Sequence, residues 1–206
     1  MLQFITNTDS RVDVVTQIRE VIEGGGRWIQ IRMKDAPDDE IRKVVEQIKP
    51  LCIEKEAFLI LDDRVELAKE LNVGGVHLGK DDMPPAQARV MLGAAAVIGV
   101  TANSFHDIEP VRNLDIDYIG VGPFRHTSTK KNLAPILGAD GLSEIVRKMK
   151  ENDIAIPVVA IGGIVLGDVE EIMRLGANGI AVSGDIANAP DIAAQTVKYI
   201  EKLGNI

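Results

Sequence analysis

Asp117-Tyr118-Ile119-Gly120-Val121-Gly122-Pro123-Phe124-Arg125-His126-Thr127-Ser128-Thr129-Lys130 reads as a buried strand emptying directly into a glycine-bearing, hydroxyl-rich, basic loop. Tyr118, Ile119 and Val121 suit a strand, Gly120 and Gly122 are expected to keep backbone exposed, and Pro123 stops the ladder. Beyond it, Thr127 and Thr129 offer hydroxyls at alternate positions, and Lys130 adds a mobile positive charge with Lys131 behind it. An ordinary polar loop and a phosphate-holding loop both satisfy this segment taken alone. The rest of the chain separates them.

Working outward, the same order of short β-rich run, punctuating Gly, Pro, Asn or Asp, and helical-period segment occurs eight times from end to end. The predicted strands are 2–7, 28–32, 58–61, 75–78, 97–100, 118–121, 157–160 and 179–182. The clearest predicted helices are 11–23, 37–55, 142–151 and 190–203, with Asp35, Asp140 and Asn188 or Ala189 near their starts. Eight units in 206 residues leave about 26 residues each, compact for a (β/α)₈ TIM barrel but sufficient. An open doubly wound sheet is the rival architecture. The count of eight favours the barrel, as does a weak internal repeat in which Leu71, Leu114 and Leu175 each stand eight residues before a small residue, Gly79, Gly122 and Ser183. No linker or charge block divides the chain, so one α/β domain over 1–206 is expected.

Composition agrees with that architecture and excludes others. Hydrophobic residues make up 46% but aromatics only 3%, so the core must come from Ile, Val, Leu and Ala, as in strands covered by helices. A net charge of -8 argues against a nucleic-acid or membrane-surface partner while leaving room for a local basic cluster. Cys52 is the only cysteine; it excludes an internal disulfide and, in an amphipathic helical segment, reads as a packed thiol. The N-terminus lacks a basic start and no window approaches ~18 apolar residues, which points to the cytoplasm. A homo-oligomer is compatible with all of this.

Parallel barrel strands deliver their C-terminal ends to one face, so function is expected there. Gln30, Arg32 and Lys34 alternate at the end of the second strand and share a face if the strand continues; inward cations would need an anion. If the strand stops earlier, Arg32 and Lys34 are solvated. The third and fourth strands end in Asp62-Asp63-Arg64 and His77-Leu78-Gly79-Lys80-Asp81-Asp82. Those carboxylates can jointly hold Mg²⁺, which commonly takes one or two carboxylates with water and substrate phosphate, or else cap helices and face solvent. Thr101, Asn103 and Ser104 suit the edge of a heteroaromatic ring or a helix start. Gly162-Gly163 and Val182-Ser183-Gly184 bare the backbone after strands seven and eight, the usual barrel phosphate site, or are simply tight turns. His77 reads as a packed, hydrogen-bonded strand residue, with His106 on a helix and His126 in the central loop. No nucleophilic triad or zinc spacing is visible.

From Phe4 to Ile186 the chain resembles the thiamine phosphate synthase family, also called thiamine phosphate pyrophosphorylase. The resemblance rests on six motifs in order: Gln30-Ile31-Arg32-Met33-Lys34; Asp62-Asp63-Arg64; Gly75-Val76-His77-Leu78-Gly79 with Asp82; Gly99-Val100-Thr101; Gly120-Val121-Gly122-Pro123 through Thr127-Ser128-Thr129-Lys130; and Ile161-Gly162-Gly163-Ile164. It implies a (β/α)₈ barrel that joins an aminopyrimidine methyl diphosphate to a hydroxyethylthiazole phosphate, with Mg²⁺ as cofactor and pyrophosphate released. It further implies that Gln30, Arg32, Lys34 and Lys130 hold the diphosphate, Arg32, Lys34 and Lys130 stabilising its departure, with Asp63 and Asp82 on the metal. Thr101 would face the pyrimidine. Thr127 and Thr129 would meet the thiazole phosphate, with Gly163, Val182 and Ser183 completing a backbone cradle.

Two positions depart from the family pattern. Asp62 stands where an Asn is usual, placing a negative charge at the diphosphate or metal-bound water. Asn103 stands where many relatives carry His, and an Asn cannot shuttle a proton. Two other readings share the barrel: a thiazole tautomerase-like protein, and a catalytically idle binder of thiazole or thiamine phosphate. Arg32, Lys34, Asp63, Asp82 and Lys130 favour the synthase over the tautomerase; Asp62 keeps the idle binder open.

Overall fold

A computed structural model describes residues 1–127 and 134–206. The strands are β1 (Leu2–Ile5), β2 (Trp28–Ile31), β3 (Phe58–Asp62), β4 (Gly75–Leu78), β5 (Val97–Ala102), β6 (Tyr118–Val121), β7 (Val158–Ile161) and β8 (Gly179–Val182). They form a closed barrel in sequence order, with β8 returning to pair in parallel with β1. That closing pair, Gln3 against Ala181 and Phe4 against Val182, excludes the open doubly wound sheet.

The helices are α1 (Val14–Glu23), α2 (Asp38–Glu54), α3 (Val65–Glu70), α4 (Pro85–Leu92), α5 (Phe105–Ile108), α6 (Gly138–Glu151), α7 (Val169–Arg174), α8 (Gly184–Ala187) and α9 (Ile192–Gly204), with a 3₁₀ turn at Leu166–Asp168. Among the described residues no helix is long and apolar enough to cross a membrane. Asp13 caps α1 by accepting Thr16 N–H at 3.0 Å, and Asp191 caps α9 by accepting Ala194 N–H at 2.8 Å. Asp35 and Asp140 stand near the starts of α2 and α6, as expected, whereas the start expected near Asn188 or Ala189 moves to Asp191. Pro37 is the N-cap of α2, Asp140 lies inside the first turn of α6, and Asn188 closes α8, a one-turn helix that periodicity cannot register.

Alternation along each strand sorts the core into two shells. Ile29, Ile31, Leu59, Leu61, Ile98 and Ile119 point outward into one cluster with helix residues such as Ile18, Val45, Ile48, Cys52 and Ile172. Ile5, Ile60, Tyr118, Val159 and Ala181 point inward and pack with Trp28, Val97 and Ile161. Cys52 is buried in α2, and desolvation pushes its thiol up to about 11, so it is an inert packed group. The leucine repeat marks the unit boundary: β4, β6 and β8 each open four residues after Leu71, Leu114 and Leu175, and Leu71 and Leu175 close α3 and α7.

Gly120 and Gly122 do not keep backbone exposed, as the sequence suggested. A Cβ on Gly120 would fall 2.9 Å from His77 Cε1, and one on Gly122 would fall 2.1 Å from Ile161 O. Both positions are buried and make room for neighbours.

Candidate active site

The C-terminal ends of the strands lie on one face of the barrel, and those of β1, β2 and β5 to β8 border a cleft. On one side β2 ends at Ile31, so Arg32 and Lys34 sit in the following loop, while Gln30 remains inside the barrel. β3 runs one residue further than predicted and carries Asp62 as its last member. Gln30 Nε2 donates to Asp62 Oδ1 at 2.6 Å, and Arg32 Nε lies 3.5 Å from Asp62 Oδ2. Burial raises the Asp62 carboxyl despite the opposing charges of Arg32 and Lys34 and the Gln30 hydrogen bond. Gln30 Oε1 is buried without a hydrogen-bond partner among the described residues. Asp62 therefore neither caps a helix nor faces solvent; it engages two of the residues that the resemblance assigns to the diphosphate.

Asp63, at φ 65, turns away from the strand, and its N–H reaches His77 O at 2.9 Å. Lys34 Nζ lies 3.5 Å from Asp63 Oδ2. Asp82 arrives from the loop after β4, its Oδ2 accepting Gly79 N–H at 2.6 Å, and its carboxyl is hydrogen-bonded to that of Asp63. Desolvation, that hydrogen bond and the charges of Asp62 and Asp82 push Asp63 up to about 7. For Asp82, burial acts upward but is outweighed by the bonds from Asp63 and Gly79 and by Lys34, so its carboxyl is held below the usual range. The two carboxyls thus oppose each other, Asp63 raised and Asp82 lowered across one hydrogen bond. Among the described residues no group of three or more His, Cys, Asp or Glu stands in metal-holding geometry. Two facing carboxylates are nevertheless the donor set that Mg²⁺ takes when water and phosphate complete its shell.

The middle of the cleft is formed by Thr101 and Asn103. β5 extends to Ala102, beyond the predicted end at Val100, so Thr101 is a strand residue whose Oγ1 lies 2.9 Å from His77 Nε2. Asn103 Nδ2 donates to Gly122 O at 2.6 Å, tying the β5 and β6 ends together; Ser104, not Asn103, is the N-cap of α5.

The opposite side carries Thr127, Gly162, Gly163 and Ser183 around an apolar floor of Ile5, Pro123, Ile161 and Ala181. The peptide bond between Gly122 and Pro123 is cis. Gly163 has φ 66, and a Cβ there would fall 2.5 Å from His126 O, so the glycine admits the β6 loop against the β7 loop. Ser183 Oγ is buried and has no hydrogen-bond partner among the described residues. Val182 points its side chain into the outer core and can offer the cleft only backbone. Thr129 and Lys130, like Ser128, lie outside the described residues.

Composition and motif reading missed the apolar floor, because Ile5, Ile161 and Ala181 are indistinguishable from core residues until the barrel closes. It also missed Gln3 and Tyr118, which hydrogen-bond inside the barrel below His77. The inward parity of Gln3, shared with Ile5, was the available signal.

The thiamine monophosphate synthase family model matches residues 2–186. A thiamine-phosphate synthase of Bacteroides thetaiotaomicron is 54% identical over 199 residues, covering 97% of this chain and 95% of that protein. One from Flavobacterium johnsoniae is 43% identical over 202 residues, covering 98% and 95%. The solved thiamine phosphate pyrophosphorylase from Pyrococcus furiosus aligns with a TM-score of 0.86 at 31% identity, covering 99% of this chain and 95% of that one. The barrel, its strand-end cleft and these relatives agree: the chain belongs to the thiamine monophosphate synthase family.

Proposed function

We propose that the chain is the transferase of thiamine biosynthesis that joins 4-amino-2-methyl-5-pyrimidinylmethyl diphosphate to hydroxyethylthiazole phosphate, giving thiamine phosphate and pyrophosphate. The observation that carries the reading is the cleft's polarity. A cation-and-carboxylate group, Arg32 and Lys34 beside Asp62, Asp63 and Asp82, adjoins a cleft that Arg32 and Thr101 share with a hydroxyl-and-glycine side, Thr127 with Gly163 and Ser183. Two phosphorylated substrates need two such regions with a neutral centre between them.

In this reading the bond between the pyrimidine methyl carbon and the diphosphate oxygen breaks, and its electron pair leaves with the diphosphate. The ring amino group stabilises the resulting cation, and the thiazole nitrogen lone pair closes the new carbon–nitrogen bond. Gln30, Arg32 and Lys34, joined by Lys130, orient the diphosphate and stabilise its leaving charge. Held by Asp63 and Asp82, Mg²⁺ would supply further positive charge to the departing oxygens. Thr101 and Asn103 border the pyrimidine, and the apolar floor limits access of water to the cation. Thr127, Thr129, the Gly163 and Val182 backbone and Ser183 receive the thiazole phosphate, for which the buried Ser183 hydroxyl is a ready donor.

Asp62 supports a second reading, because its carboxylate engages Arg32 and adds negative charge where diphosphate would sit. An idle binder would bind thiazole phosphate without turning over. Purified protein incubated with both substrates and Mg²⁺ should release thiamine phosphate and pyrophosphate in equal amounts. Tight binding of thiazole phosphate with neither product formed would overturn the enzyme reading.

A further inference from the structure

Inside the barrel, four residues from four strands form one hydrogen-bonded line that ends at the cleft. Gln3 Nε2 donates to Tyr118 Oη at 3.0 Å, Tyr118 Oη lies 2.9 Å from His77 Nδ1, and His77 Nε2 lies 2.9 Å from Thr101 Oγ1. Gln3, Tyr118 and His77 are buried, while Thr101 is partly exposed and lines the cleft. Trp28 meets the Tyr118 ring edge-on, with centroids 4.9 Å apart. Missing side chains make the seats for the two rings: a Cβ on Gly99 would fall 2.0 Å from Tyr118 Cζ, and one on Gly120 would fall 2.9 Å from His77 Cε1. Glycines of two motifs thus clear space for this line rather than for ligand.

Donor counting gives the line a direction. The Tyr118 oxygen receives a hydrogen from Gln3, and among the described residues the acceptor within reach of its own hydrogen is His77 Nδ1. A neutral imidazole that accepts at Nδ1 carries its proton on Nε2, and that N–H donates to Thr101 Oγ1. An imidazolium would place a second donor on the Tyr118 oxygen and strand a buried phenolic hydrogen. Burial also raises the Tyr118 phenol well above its usual range, so it keeps that hydrogen. With its acceptor side turned to His77, the Thr101 hydroxyl directs its hydrogen into the cleft.

We propose that Tyr118 is a positioning residue: by holding His77 in the Nε2–H tautomer, it presents Thr101 as a hydrogen-bond donor to a ring-nitrogen acceptor of the pyrimidine substrate. The substrate part rests on the function proposed above; the tautomer part does not. Long-range ¹⁵N–¹H spectra of the ligand-free protein, labelled at histidine, should show His77 protonated at Nε2 with a bare Nδ1. A Nδ1–H tautomer or an imidazolium at neutral pH would overturn the proposal, and this reading needs no variant and no turnover. In Tyr118→Phe, which keeps the ring against Trp28, the two tautomers should interconvert. KM for the pyrimidine diphosphate should rise about fivefold while KM for the thiazole phosphate stays within about twofold. Adding Tyr118→Phe to Thr101→Val should then cost nothing further, because both changes remove the same contact. Additive effects, or equal loss toward both substrates, would show that Tyr118 does not act through Thr101.

Discussion

Arg125, in the loop after β6, grips Asp168 at the head of α7 with one edge of its guanidinium, Nε to Oδ2 at 2.9 Å and Nη2 to Oδ1 at 2.5 Å. The same carboxylate accepts Val165 N–H at 3.0 Å. One buried Asp thereby fastens the loop that carries Thr127 to the segment that follows the Gly162-Gly163 turn, and a bidentate geometry fixes their relative placement.

That clamp has a pH signature. Burial acts to raise Asp168, but the Arg125 bonds, the Val165 N–H and the Arg125 charge outweigh it, and the carboxyl is held below its ordinary 3.8. A depressed carboxylate contributes stability that is complete above the unfolded-state value and is lost as pH falls through the folded-state value. Asp168→Asn keeps an acceptor for Val165 but removes the charge. The gap in urea midpoint between the parent and this variant should be constant above about pH 5 and should shrink as pH drops below 3.8. A gap that persists unchanged into acid would mean that the clamp is not ionic.

Asp62→Asn should release Arg32 from its carboxylate partner, and the new amide can donate to the buried Gln30 Oε1. We expect tighter pyrimidine diphosphate binding, by about three- to tenfold, with turnover kept or raised. Isothermal titration with the diphosphate checks the first part. Weaker Mg²⁺ binding with lower turnover would instead identify Asp62 as a metal ligand.

Asp63→Asn and Asp82→Asn should each raise the Mg²⁺ concentration needed for half-maximal turnover by at least about tenfold, since each takes away one of two facing carboxylates. Asp82→Asn should also loosen the Gly79 turn, because the 2.6 Å bond from Gly79 N–H loses its charge. Identical Mg²⁺ titrations in parent and variants would remove both residues from the metal site.

Thr127→Val should weaken thiazole phosphate by about fivefold and leave the pyrimidine substrate nearly unaffected, because it deletes one hydroxyl at constant volume on the glycine-lined side of the cleft. Separate binding titrations distinguish this from general disorder of the loop, which would weaken both ligands alike.

Gly99→Ala should destabilise the fold by roughly 1–3 kcal/mol, because a methyl group there meets the Tyr118 ring with no space to yield. Thermal denaturation of the variant checks it; an unchanged midpoint would mean that the ring can move.

Eight recurrences of strand, turn and helix in a chain poor in aromatics left few architectures open, and local pattern was enough to place β4, β6 and β8 without error. Strand-end motifs likewise marked Gln30, Arg32, Lys34, Asp63, Asp82 and Thr101 before any coordinates, because barrel geometry sends strand ends to one face. The fate of each polar group at those ends depended on partners distant in sequence. Asp62 could have been a helix cap, a metal ligand or a solvated charge; only the register of β2 beside β3 sets it against Gln30 and Arg32. Gly99 and Gly120 carry no local mark of their purpose, which is to admit the rings of Tyr118 and His77. The sequence by itself determined the alternation of strand and helix and the strand ends at which function sits, since both follow from periods of two and 3.6 residues along the chain; closure into a barrel was decided by the pairing of β8 with β1. Only the tertiary structure decided which carboxylate pairs with which cation and which way the inner hydrogen bonds run, because those are contacts across strands, set by register and by the room that neighbouring side chains leave.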